Sequence, residues 1–220
     1  MGADGIEFDV RLTRDGVPVV IHDSTLRRTG GLPDRVSDLT WDEISKVDVG
    51  SWFAASFANE TVPSLAQLFT LFQSNNSTLY LEMKCDSASE QRALAEACVR
   101  AIEEHGLKER LIVECFQLPA LRILKEIDPD IKTVALFEPS FTNASVLSDQ
   151  RIINQAQDVG ACALALHHRL ARASLMQKAK DAGLHVAVWT VDDPAWIERA
   201  TTMGIDALIT NNPAAMLAHR

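Results

Sequence analysis

The chain has 220 residues, 21 Lys and Arg against 30 Asp and Glu for a formal net charge of −9, and a 47% hydrophobic share with only 10 Gly and 8 Pro. That balance excludes intrinsic disorder and collagen-like or low-complexity chains, and it sets one compact domain, residues 1–220, as the expectation. Acidity without a Lys/Arg stripe argues against nucleic acid as a partner, and neither a membrane span nor a signal-peptide pattern is present, so a cytoplasmic protein is expected.

In chain order, residues 5–12 alternate Ile6, Phe8 and Val10 with Glu7 and Asp9, the period-2 pattern of a strand. The turn Arg14-Asp15-Gly16 leads into a second apolar run, 17–22, and Asp-Gly between two such runs predicts a hairpin. Residues 24–62 then make an excursion of roughly 40 residues, too long for a βα loop and expected to be a small inserted subdomain. Beyond it, helical patterns at 63–73, 89–105, 119–127, 150–159, 171–182, 194–203 and 213–218 alternate with strand patterns at 78–84, 110–116, 131–137, 161–167, 185–191 and 206–210. In 89–105, for example, Leu94, Cys98, Ala101 and Ile102 share one face while Glu96, Arg100, Glu103 and Glu104 take the other. Gly183 and Gly204 stand just past helix ends, where a positive φ is wanted. The alternation predicts a parallel sheet wrapped by helices, a TIM (β/α)₈ barrel. Seven parallel strands leave one βα unit wanting, and it is expected at the N-terminus because the sequence begins inside a strand pattern.

Barrel chemistry sits at the C-terminal ends of the strands. Strand alternation puts Glu7 and Asp9 on one face, and Glu82 and Lys84 hold the same kind of place on the next strand. Carboxylates side by side repel unless a cation joins them, and an oxygen-only set suits Mg²⁺ or Ca²⁺ better than zinc. Spacing alone leaves alternatives open: Glu7 and Asp9 could face water on an edge strand, and Lys84 could be a plain ion-pair partner or the ammonium that meets a phosphate. His22 leaves the hairpin strand, placed for general acid or base work or for a capped core position. Trp189 stands at a strand end, over a ligand or within the core; His167-His168 either lines the mouth or faces water, and His105 suits a helix C-terminus. The cysteines, 85, 98, 115 and 162, lie within apolar patterns and read as small hydrophobes. No dinucleotide, Walker-type or serine-hydrolase motif occurs in a supporting context.

The run Gly2-Ala3-Asp4-Gly5-Ile6-Glu7-Phe8-Asp9-Val10, followed by Thr13-Arg14-Asp15-Gly16-Val17-Pro18-Val19-Val20-Ile21-His22-Asp23, resembles the glycerophosphodiester phosphodiesterase family. The likeness continues through Gly50-Ser51-Trp52-Phe53, Val62-Pro63-Ser64-Leu65, Glu82-Met83-Lys84, Val188-Trp189-Thr190-Val191 and Ile209-Thr210-Asn211-Asn212-Pro213, essentially the whole chain. The resemblance implies a phospholipase-C-like barrel with one divalent cation, Mg²⁺ or Ca²⁺, held by Glu7, Asp9 and Glu82. It further implies Lys84 and Trp189 as substrate-binding residues, and His22 as one of two catalytic histidines. The implied reaction is hydrolysis of a small-molecule glycerophosphodiester to glycerol 3-phosphate and an alcohol. The family's other histidine belongs to an H-R-G motif on the first barrel strand, followed by P-E-N-T, and neither motif stands in this sequence. The expectation is therefore an N-terminally truncated barrel, with a catalytically weak, cation- and phosphate-binding homologue as the alternative. A second copy of the chain would be the natural cover for an open barrel edge. Arg27 and Gly30-Gly31 depart from the family pattern within the excursion and bear on substrate preference.

Overall fold

The computed structural model describes residues 2–139 and 148–220. Strand β1, Gly5–Leu12, turns back at Gly16, whose φ of 81° favours glycine, into the short strand β2, Pro18–Val20. The two pair antiparallel with Val10 opposite Val20 and Leu12 opposite Pro18, the hairpin that Asp-Gly predicts. Helices α1 (Trp41–Ile44) and α2 (Leu65–Phe72) precede β3, Thr78–Met83. The regular alternation then runs α3 (Ala88–His105), β4 (Leu111–Cys115), α4 (Leu118–Ile127), β5 (Lys132–Phe137) and α5 (Asp149–Asp158). It closes with β6 (Ala163–His167), α6 (Ala173–Asp181), β7 (His185–Trp189), α7 (Ala195–Met203), β8 (Ala207–Leu208) and α8 (Pro213–Leu217). Every expected element forms, with ends that move by at most two residues.

The sheet runs β2-β1-β3-β4-β5-β6-β7-β8, parallel throughout except for the β1–β2 hairpin. Both faces of its strands are covered, which is why β4 to β6 are almost continuously buried. One face, including Phe8, Leu81, Val113, Phe137, Leu164 and Val188, packs against helices such as α3, which buries Leu94, Cys98 and Ile102. Each such side chain contributes about 1.5–3 kcal/mol on leaving water. The other face gathers Ile112 and Phe116 from the β4 side with Val134, Leu136, Ala165, Ala187, Trp189 and Ala207 into one apolar cluster. Side chains from β4 and β8 meet there because the sheet curls, giving the barrel-like form expected from the alternation. Among the described residues no strand pairs with the Gly5–Phe8 half of β1 on its outer side, since β2 reaches only Val10 to Leu12.

Residues 24–62 have a core of their own, in which Leu26, Val36, Ile44 and Val62 pack with Val19 of β2. Backbone pairs close it, Val36 N–H to Ser24 O at 3.0 Å and Val49 N–H to Glu60 O at 2.8 Å. Arg14 ties it to the hairpin, its own N–H bonding Leu39 O at 2.8 Å and its guanidinium bonding Asp38 O at 2.7 Å. One expectation is corrected: Cys162 is exposed, because β6 begins only at Ala163, two residues later than expected, and the Cys162 thiol lies over Thr133 O at 3.3 Å, whereas Cys85, Cys98 and Cys115 are buried.

Candidate active site

The strand registers assemble the acidic residues. Asp9 lies opposite Glu82, and Glu82 opposite Glu114, so three carboxylates stand in one row across β1, β3 and β4. Glu7 lies one pleat deeper, opposite Tyr80. One ligand oxygen each from Glu7, Asp9 and Glu82 falls within 4.8 Å of the others, the spacing of a single cation's coordination shell. This settles the edge-strand alternative: these side chains line the interior of the curl, within a cavity of about 600 Å³.

Crowding acid groups in a part-dry cavity has a measurable consequence. Burial, then the charges of Asp9 and Glu82, push the Glu7 carboxyl up to about 8, and its Oε1 is buried without a hydrogen-bond partner. Burial likewise raises Glu82, against the pull of Lys84. Lys84 Nζ lies 2.6 Å from Glu82 Oε1 and 3.2 Å from Asp9 Oδ1. Burial works against its charge, but those two ion pairs outweigh it and hold the ammonium above its ordinary value. The donor set is oxygen-only, carries more negative charge than Lys84 offsets, and includes an orphaned buried carboxylate oxygen. These are the features of residues that fit a hard divalent cation.

His22 lies at the cavity rim, its side chain 63% exposed, so the capped-core alternative does not hold. Its Nδ1 is 2.8 Å from Asp23 Oδ1, and Asp23 also accepts from Arg28 Nε at 2.7 Å. The Arg28 hydrogen bond, then that of His22, outweighs desolvation and holds the Asp23 carboxyl down at about 2. A permanent carboxylate against Nδ1 keeps that nitrogen protonated and leaves Nε2 for proton transfer. Trp189 lines the same cavity and packs edge-on against Phe116 and His167, with ring centroids 5.5 and 5.2 Å away. His167 is thus engaged with Trp189 rather than with the acidic cluster, its ring stacked on His168 at 4.2 Å. His105 caps its helix, Nδ1 lying 2.9 Å from Ala101 O.

Among the cavity residues that escaped the sequence reading are Glu114 and Arg11. Glu114 is 1% exposed, its Oε2 has no partner, and burial, then Glu7 and Glu82, raise its carboxyl well above the carboxylate range. Arg11 donates from Nε to His22 O at 2.8 Å and from Nη1 to Asp86 at 2.7 Å. Both carried a usable signal: Arg11 continues the alternation Glu7, Asp9, and Glu114 alternates with Val113 and Cys115.

The Glycerophosphoryl diester phosphodiesterase family matches residues 1–215. A glycerophosphodiester phosphodiesterase of Caldanaerobacter subterraneus subsp. tengcongensis is 32% identical over 217 residues, covering 99% of this chain and 86% of that protein. One of Bacillus subtilis is 27% identical, covering 97% of this chain and 75% of that protein. Among solved structures, an Oleispira antarctica phosphodiesterase in complex with the product sn-glycerol-3-phosphate superposes with a TM-score of 0.89 at 23% identity, covering 99% of this chain and 85% of that one. A Thermotoga maritima glycerophosphodiester phosphodiesterase gives 0.77 at 22% identity, covering 100% and 86%. These two likenesses establish the fold as that of the family's barrel. With the family match spanning nearly all of the sequence, the chain belongs to the glycerophosphoryl diester phosphodiesterase family, enzymes that hydrolyse phosphoric diesters.

Proposed function

We propose that this chain hydrolyses small glycerophosphodiesters in the cytoplasm, releasing glycerol 3-phosphate and an alcohol, with one Mg²⁺ or Ca²⁺ held by Glu7, Asp9 and Glu82. The observation that carries the reading is the convergence of three carboxylate oxygens within 4.8 Å beside the Lys84 ammonium, inside a cavity whose rim bears His22. When bound, the cation supplies charge neutralisation and Lewis-acid polarisation of a phosphoryl oxygen. Lys84 holds Asp9 and Glu82 in place and presents a positive charge to the diester, which an acidic protein otherwise repels. His22, oriented by Asp23, moves a proton through Nε2 as a P–O ester bond breaks, water adds to phosphorus and the alcohol leaves protonated. Trp189 and Phe116 form an apolar wall against the carbon skeleton of the substrate. Residues 24–62 are read as a subdomain inserted in this single domain; Arg14 tethers it to the hairpin, and Arg11 Nε, bonded to His22 O, fixes the backbone of His22.

The test is release of glycerol 3-phosphate from glycerophosphocholine by the purified chain, with Mg²⁺ or Ca²⁺ and with chelator. Turnover that needs the cation and disappears in Glu82→Ala supports the reading; turnover that survives both treatments sinks it. A second reading, of a cation- and phosphate-binding protein with weak catalysis, is favoured by one observation: His22 is the one histidine lining the cavity among the described residues. Calorimetry separates the two, since cation binding abolished by Glu82→Ala but without hydrolysis supports the second.

A further inference from the structure

The stretch of chain that carries Glu82 and Lys84 into the cavity continues to Asp86, which lines the same cavity. Asp86 holds two guanidinium groups, one on each carboxylate oxygen: Arg11 Nη1 lies 2.7 Å from Oδ1 and Arg35 Nη2 lies 2.7 Å from Oδ2. The Arg11 and Asp86 side chains are 12% and 27% exposed, so this pair is largely shielded from water, while Arg35 reaches it from the inserted subdomain. The backbone of Asp86 is fixed in turn, its N–H donating to Glu90 Oε2 in the first turn of α3 at 2.8 Å. Both arginines flank His22. Arg11 donates from Nε to His22 O at 2.8 Å, and Arg35 forms a backbone bridge with Thr25, beside the bond from Val36 N–H to Ser24 O at 3.0 Å. The segment that bears His22 therefore runs between two arginines that meet on one carboxylate.

We propose that Asp86 is a positioning residue, which through Arg11 and Arg35 fixes the His22 segment and the inserted subdomain against the strand that carries Glu82 and Lys84. Its effect on turnover rests on the proposed function. Two charge-assisted bonds on separate oxygens hold the carboxylate in one orientation, and Arg11 passes that orientation to His22 O. The place of His22 relative to the carboxylates of the cavity is then set through the short stretch of backbone from Glu82 to Asp86. With a neutral side chain at this position, both bonds lose their charge assistance and the two guanidinium groups are left as neighbouring like charges. The His22 segment is released on both flanks, and a proton-transfer group displaced by about 1 Å can lose roughly 10²-fold in rate.

The experiment compares the full chain with Asp86→Asn, Arg35→Gln and the double variant. In Asp86→Asn, kcat for glycerophosphocholine should fall about 10–100-fold, while KM and the calorimetric affinity for Mg²⁺ stay within about threefold of the parent. Arg35→Gln should lower kcat less, because Arg11 keeps its bond to Asp86, and should add little to Asp86→Asn, because its partner is already gone. Amide hydrogen exchange needs no turnover: residues 21–26 should exchange faster in Asp86→Asn, with β4 and β5 unchanged. If Asp86→Asn does not fold, the same kinetic split and exchange pattern are required of Arg35→Gln. An unchanged kcat, a cation affinity that falls together with kcat, fully additive losses in the double variant, or parent-like exchange at residues 21–26 would each overturn the proposal. A parent chain that hydrolyses no glycerophosphodiester counts against the proposed function, and the exchange result then decides by itself whether Asp86 holds the segment.

Discussion

Glu114 shows what a single side chain contributes when it is almost wholly excluded from water. In the unfolded chain it ionises as an ordinary carboxylate; in the fold, burial among Glu7 and Glu82 keeps it neutral to higher pH. A group whose folded pKa is raised stabilises least where the unfolded form has already ionised, so Glu114→Gln should be neutral at pH 4. At pH 7 the same change should raise stability by roughly 1–3 kcal/mol in urea unfolding without cation. No difference between the two pH values would mean that the carboxyl is better solvated than its burial indicates. Glu7 obeys the same sign, with a value of about 8 in the cation-free protein. With chelator present, the melting temperature should therefore decline as pH rises from about 4.5 to 8 through ionisation of this group. Saturating Mg²⁺ or Ca²⁺ should flatten that decline, because the cation stabilises the ionised carboxylate, and binding should release protons measurable in buffers of differing ionisation enthalpy. At the rim, His22→Ala should lower kcat by about 10²–10⁴-fold with little change in cation affinity, a split that separates proton transfer from metal holding.

At the scale of elements, the segment between β2 and β3 is held by local chemistry. Ser64 opens α2 with a reciprocal capping box, its Oγ accepting from Gln67 N–H at 3.2 Å while Gln67 Oε1 accepts from Ser64 N–H at 2.8 Å. Losing the cap in Ser64→Ala should cost about 1 kcal/mol in urea unfolding. Because α2 buries Leu65 and Phe69 in the main core, the loss should appear in global stability rather than as fraying alone. Gly50 in the Gly-Ser-Trp-Phe run is explained by space: a Cβ there would sit 2.0 Å from Phe57 O, so the chain crosses at a distance that only glycine permits. The hairpin was legible from Asp15-Gly16 and the helices from their 3.6-residue period, because these signals arise within one turn or one helix. The strand ends were less legible: β8 shrinks to Ala207–Leu208, since its extent is set by pairing with β7 rather than by its own residues.

For the whole molecule, net charge and site charge act on the substrate in opposite directions. On the proposed function, a chain of net charge −9 repels an anionic diester at long range, while Lys84 and a bound cation would attract it at contact. Raising ionic strength from about 10 to 150 mM should screen the repulsion and lower KM for a net-anionic diester such as glycerophosphoglycerol, with kcat less affected. A rise in KM would show that local attraction dominates the approach. By itself, the amino-acid sequence determined the βα alternation, the hairpin, the excursion at residues 24–62 and the shared strand face of Glu7 with Asp9 and of Glu82 with Lys84, since each follows from a short-range period or turn. Only the tertiary structure decided that this face turns into the cavity, that Lys84 pairs with Asp9 as well as with Glu82, and that Asp23 and Arg28 orient His22. The Lys84–Asp9 pair joins two strands and, like the inward turn of that face, depends on strand register and on the curl of the sheet, which no local pattern encodes, while the His22–Asp23–Arg28 chain depends on side-chain directions within one loop that residue spacing does not fix.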